Sequence, residues 1–410
     1  MQTIEQLFEP GRLIRRDIEH RHFKSNLISL YFVRPLSAKE AALGALLGRV
    51  LSFSSEAYPS MKAISDQEDD LYGVVVYFDS DKYRDQLVIE YKLIYPNYSL
   101  LPIDSDLSEQ AVAFYISLLA RPLLVDGLFD QDVFETEKSN LLEELASIRK
   151  DPVGYSYRRC NEIHFRDSQL GVYKYGDEAS LRSITNQELI DYYHELLGSS
   201  DIYCYRHGAY KPSPIRAKAT RQFERLPLIA ETKLVEEERN SHQSILVQAY
   251  QTDIDQADAE AQAAMLFNQI LGGDANSVLF RIIREELGYC YHIESRYDKY
   301  RGVLFITTAY READHEDLIQ RIDQLMGEIK AGHISSTDFE VAKLEAIQSL
   351  KSLADHQATM LDYVFVQDLF GKSDTIPDRV AQLEAMALPA VIEAAGRFDL
   401  ITSFHLKGGK

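Results

Sequence analysis

Hydrophobic periodicity stops between Tyr210 and Glu236, in a stretch KPSPIRAKATRQFERLPLIAETKLVEE that is polar, mixed in charge and broken by three prolines. Such a stretch offers no continuous apolar face to a core, and each proline removes a backbone donor, so it divides the chain. The segments on its two sides run through the same order of elements, although the residues do not repeat. In the first part SNLISLYFV (25–33) alternates as a strand, 37–53 has the spacing of an apolar helix, and VVVYF (74–78) and LVIEYKLIY (87–95) read as strands. Helical spacing continues over 106–122, 130–150, 153–166 and 186–197. Thr185 and Glu188 form a capping box at the start of the last of these, and DIYCYRHG (201–208) closes the part as a strand. After the break, SILVQAY (244–250) leads to a helix over 257–271, a loop GGDANS (272–277) and a helix over 277–287. Strands near 290–297 and 302–309 and long helices near 314–331 and 335–354 complete the pattern. The expected fold is α+β, with two tandem similar halves, each an antiparallel sheet with helices on one face, in a clamshell arrangement. The expected divisions are 1–212, a linker over 213–234, and 235–410.

A chain of 410 residues, 45% of them apolar, can fill two cores of roughly 200 residues each. Carboxylates outnumber basic groups 64 to 44, a net charge of -20, which argues against a duplex nucleic-acid partner because phosphate binding needs clustered cations. Cys160, Cys204 and Cys290 show neither a CxxC nor a framework spacing and read as thiols in a reducing compartment. The first residues lack an apolar signal region and no stretch approaches the length of a membrane span, so a cytoplasmic location is expected.

The eleven histidines supply no catalytic metal signature. Two imidazoles on one helical turn with a glutamate between them would hold zinc and activate its water, but neither HExxH nor HxxEH occurs. His194 in HELLG and His315 in HEDLI each lack a second histidine, and His20 and His22 suggest no third ligand. A GxSxG nucleophile elbow and GxGxxG or GxxxxGK phosphate cradles are also missing. Three segments remain: YPSMKAISDQEDDLYGVVVYF (58–78), EKSNLLEEL (137–145) and LFRIIREELGYCYHIE (279–294).

Together, and over nearly the whole length, these segments resemble the insulinase/pitrilysin family of zinc peptidases, the inverzincins with an HxxEH motif. The likeness is to a degenerate bacterial branch that lacks HxxEH and is paired with an active sister. Counting back from YPS, the resemblance puts Ala45, Gly48 and Arg49 where the family has histidine, glutamate and histidine. Glu144 then stands for the family's third ligand and Glu137 for the glutamate seven residues before it. Seven residues are nearly two turns, so both carboxylates share a helix face, which for an isolated pair would be a solvated acidic surface. A guanidinium at position 49 would repel a dication and could pair with Glu144 instead. The resemblance makes Arg284 and Tyr291 the donors that grip a scissile carbonyl. Without it, Arg284 is a helix cation beside Glu285 and Glu286. The resemblance thus implies a non-catalytic subunit with no cofactor of its own, zinc being held by an HxxEH sister, and a peptide as shared substrate. A homodimer in isolation, a scaffold or assembly protein, and a peptide-binding module are the alternatives.

Overall fold

The computed structural model describes residues 4–8, 13–20, 22–210 and 223–409. In chain order the first stretch forms β1 (Leu13–Glu19), β2 (Ser25–Pro35), α1 (Ala38–Leu51), α2 (Met61–Asp70), β3 (Val75–Tyr83) and β4 (Gln86–Pro96). It continues with α3 (Ser108–Ala120), a short hairpin of β5 (Leu124–Val125) and β6 (Leu128–Phe129), and α4 (Gln131–Ile148). Next come α5 (Pro152–His164), α6 (Glu178–Ser183), α7 (Asn186–Ser199) and β7 (Asp201–Gly208). The second stretch forms β8 (Lys233–Asn240), β9 (Ser244–Gln251), α8 (Ala261–Gly272), a π-helix (Phe280–Glu286), β10 (Cys290–Asp298) and β11 (Val303–Tyr310). It ends with α9 (His315–Lys330), α10 (Ser336–Ser352), α11 (Gln357–Leu369), α12 (Ile376–Glu384), α13 (Leu388–Gly396) and β12 (Asp399–Gly409).

The two sheets have the same topology. One is ordered β1-β7-β2-β4-β3 and the other β8-β12-β9-β11-β10. In each, the first strand lies parallel to the last and the other three pairings are antiparallel. The sheets are antiparallel as expected except for this one parallel pairing in each. A parallel pair needs a long crossover, and here every other element of the half lies between the paired strands. The inner strands β2 and β9 are buried almost end to end, so they read as apolar runs with little alternation.

The chain folds into two compact units that are not contiguous in sequence. The first comprises Met1–Ala146, Val172–Gln222 and His356–Ser373, and the second Ser147–Gly171, Phe223–Asp355 and Asp374–Lys410. Each half thus lends a helix to the other half's sheet. In the first unit, α11 stacks Phe365 on Tyr31 at 4.0 Å, and its Asp362 accepts from Tyr31 Oη and Lys92 Nζ, both at 2.6 Å. Its Asp368 accepts from Arg16 at 3.0 Å and from Tyr205 Oη at 2.7 Å. In the second unit, α5 buries Cys160 against Val247, and Glu237 accepts from its Tyr155 and Arg159. Of the expected linker 213–234, residues 213–222 lie outside the described residues, and β8 already starts at Lys233.

Among the described residues, no helix is long and apolar enough to cross a membrane. The helix expected over 257–271 begins at Ala261, and that expected over 277–287 is a π-helix. The capping box at Thr185 forms, its backbone N–H donating to Glu188 at 2.8 Å.

Candidate functional site

In the first unit the residues singled out by the sequence meet beside β3. Ser37 caps α1 by accepting from the backbone of Glu40, and the helix carries Ala45, Gly48 and Arg49 along one side. They line a cavity of about 290 Å³ with Phe53, Met61, Phe78, Asp79, Glu137 and Tyr175 among its other walls. From α4, Glu144 takes a short charged hydrogen bond from Arg49 Nη2, and Glu137 lies 3.9 Å from Arg49 Nη1. Glu137 also accepts from Asn140 at 3.1 Å. Across the cavity, Asp79 accepts from Tyr175 Oη at 2.9 Å and lies 3.2 Å from Lys174 Nζ. Burial works against the Lys174 ammonium, but Asp79 and Tyr175 outweigh it and its pKa is raised.

This donor set does not suit zinc. It has carboxylates and a guanidinium but no imidazole, and the cation already present would repel the ion. Among the described residues, no group of three or more histidine, cysteine, aspartate or glutamate side chains is arranged to hold a metal. Phe78 decides the shape of the site. A Cβ built on Gly48 would lie 2.8 Å from Phe78 Cβ, so the ring fills the space a glutamate would enter. The ring cannot easily retreat, because it stacks on Tyr91 at 4.1 Å, which stacks in turn on Tyr115 at 4.2 Å. Phe78 and Asp79 carry no recognisable motif, so the sequence gives no signal for either.

Arg284 and Tyr291 belong to the second unit, so they are not brought together with the α1–α4 group inside one compact body. Each sits on an irregularity. The π-helix widens the turn that holds Arg284, with Leu287 N donating to Ile282 O at 3.0 Å. Turns of this kind are rare and frequent at functional sites. Gly288 then turns the chain with φ +65, a conformation that costs a side-chain-bearing residue more. The register of β10 on β11 shifts between Cys290 and His292, which leaves Tyr291 unmatched in a bulge and 63% exposed. Bulges re-aim side chains in this way beside active sites. The Arg284 guanidinium lies 4.4 Å over the Phe280 ring and 3.6 Å from Glu285. Burial pushes the Cys290 thiol up to about 12 although Arg284 opposes it, so this cysteine is no nucleophile.

Two copies of one mixed sheet, and in the first unit a helix pair that carries no paired histidines, are the features to set beside known proteins. Residues 183–345 match the family described as "Peptidase M16 inactive domain". Over 410 residues it is 22% identical to "Probable inactive metalloprotease YmfF" of Bacillus subtilis (strain 168), covering 97% of this chain and 96% of that one. A conserved protein from Enterococcus faecalis V583 shares the fold with a TM-score of 0.91 at 24% identity, covering 98% of each chain. A peptidase M16 inactive domain from Pseudomonas fluorescens shares it with a TM-score of 0.76 at 17% identity, covering 97% of this chain and 96% of that one.

Proposed function

We propose that this chain is the non-catalytic subunit of a heterodimeric, cytoplasmic insulinase-type peptidase. It supplies Arg284, Tyr291 and half of a peptide chamber to a sister that holds zinc through HxxEH. The observation that carries this reading is the display of Arg284 and Tyr291. Tyr291 is 63% exposed in a bulge, and Arg284 stands on a widened turn, over the Phe280 ring and 3.6 Å from its neighbour Glu285. The phenol and the guanidinium are both held at least partly at the surface by two backbone irregularities. Both are donors suited to a carbonyl oxygen that gains charge as a peptide bond is attacked.

The test is reconstitution with an HxxEH sister. Losing one donor of this kind typically lowers turnover by about 10²- to 10³-fold. Arg284→Ala and Tyr291→Phe should each lower kcat by about that factor while leaving assembly and the sister's zinc content unchanged. Full activity in both variants would transfer the reading to a scaffold or assembly protein.

A further inference from the structure

The loop GGDANS and α10 meet in a group of side chains that has no part in the proposed grip on a peptide carbonyl. Gln269, at the end of α8, donates one amide nitrogen to two carboxyls, Asp274 at 2.5 Å and Glu345 of α10 at 3.3 Å. Asn276 closes the group, its backbone N–H donating to Asp274 at 2.7 Å and its side chain to Glu345 at 2.6 Å. Both carboxyls thus accept from one amide nitrogen, and Asn276 holds them in the same group. Two ionised carboxylates drawn onto one donor repel each other, and one proton held between them removes that repulsion.

The charged groups around the pair do not relieve it. The groups facing the two carboxyls are the neutral amides of Gln269 and Asn276. Arg281, on the following π-helix, is bound by Asp338 at 3.0 and 3.1 Å, and Lys343 of α10 donates to Met386 O at 3.3 Å. Asp338 and Glu345 are seven residues apart on α10, so from one face they grip the loop at Asn276 and the first turn of the π-helix at Arg281. Arg284 follows three residues later in the same π-helix.

We propose that Gln269, Asp274 and Glu345 are positioning residues, and that a single proton shared by the two carboxyls holds the loop and the π-helix in the arrangement that displays Arg284. This rests on the trans-acting reading of Arg284 for its functional meaning, but not for its chemistry. Burial, then Glu345 beside it, pushes the Asp274 carboxyl up to about 6, while Asp274 holds Glu345 below the usual carboxylate range. A carboxyl whose folded form prefers its proton contributes fully below the ordinary carboxylate range and loses that contribution as pH rises through about 6.

The experiment is backbone hydrogen exchange of residues 272–289 in the full-length chain from about pH 5 to about pH 8, corrected for the chemical rate. Protection should fall by about ten- to hundredfold as pH rises through about 6. In Asp274→Asn, whose amide donates to Glu345 at any pH, protection should stay constant. Glu345→Gln serves the same purpose from the other side, should the first variant not fold. Equal wild-type protection at both ends of the range, or a variant that loses protection as the wild type does, overturns the proposal. In the reconstituted pair, kcat should show the same inflection and Asp274→Asn should flatten it. An unchanged kcat profile beside pH-dependent exchange would overturn the trans role of Arg284 and leave the proton-sharing pair standing.

Discussion

Arg49 and Gly48 show at the scale of single residues two separate reasons why the cavity beside α1 does not suit a metal ion. Arg49 supplies a positive charge to Glu144 and Glu137, but its side chain is 31% exposed and that of Glu144 41%, so solvent screens the pair. Arg49→Ala is expected to cost no more than about 1 kcal/mol in denaturant unfolding, and less at high salt. Gly48 is the harder barrier. Gly48→Glu drives a side chain into Phe78, whose ring is stacked on Tyr91, and overpacking of that kind typically costs about 1–3 kcal/mol. The triple change Ala45→His, Gly48→Glu, Arg49→His should therefore lower the midpoint of unfolding and yield no robust peptidase. Stoichiometric zinc with rapid turnover in that variant would refute this account. That residues 41–53 hold no histidine can be read directly, whereas the ring behind Gly48 comes from a strand 30 residues further on.

At the scale of elements, α11 shows how a helix is recruited by polar groups on a sheet that is otherwise apolar. Lys92 is buried between Glu90 at 2.7 Å and Asp362 at 2.6 Å, with the Tyr31 phenol donating to the same Asp362. The ion pair by itself would lower the Glu90 pKa. Burial and the second carboxylate prevail, and the Glu90 carboxyl is pushed up to about 7. Raised in the folded state, Glu90 contributes fully in acid and loses that contribution as pH rises through about 7, so the first unit should unfold more easily at pH 8 than at pH 6. Glu90→Gln should flatten that slope in thermal unfolding. Asp362→Ala takes one of two partners from a buried ammonium, and breaking a buried pair costs about 3–5 kcal/mol. The residue pattern of 355–409 gives no clear expectation of structure, and α11, α12, α13 and β12 emerge only in the folded chain. Residues 357–369 mix apolar and polar groups too closely for a clear helical stripe, because α11 meets the sheet through Tyr31, Lys92 and Arg16 as much as through Phe365.

For the whole molecule, the exchange of α5 and α11 makes the two halves of the sequence poor independent folders. A fragment 1–212 lacks the helix that covers Tyr31 and Tyr205, and a fragment from 235 onwards lacks the one that covers Val247. Expressed alone, each should aggregate or bind a hydrophobic dye. Expressed together, or cut within 211–222 after folding, they should remain one species in size exclusion. Recovery of a monodisperse, cooperatively unfolding 1–212 fragment would show that α11 is dispensable to its sheet.

By itself the sequence determined the order of most elements between residues 25 and 354, the doubling of the pattern about residues 210–236, and the absence of the paired histidines. All three are local, since periodicity of 2 or 3.6 and the identity of a residue are carried by neighbours along the chain. The tertiary structure alone decided that each half borrows a helix, that Phe78 fills the space beside Gly48, and that Arg284 and Tyr291 ride on a π-turn and a bulge. Tyr31 and Asp362 are 331 residues apart, and a spacing pattern within either segment holds no record of the other. A hydrogen bond that slips from the fourth to the fifth residue, or a ladder that skips one, changes no composition, so only the packed backbone reveals it.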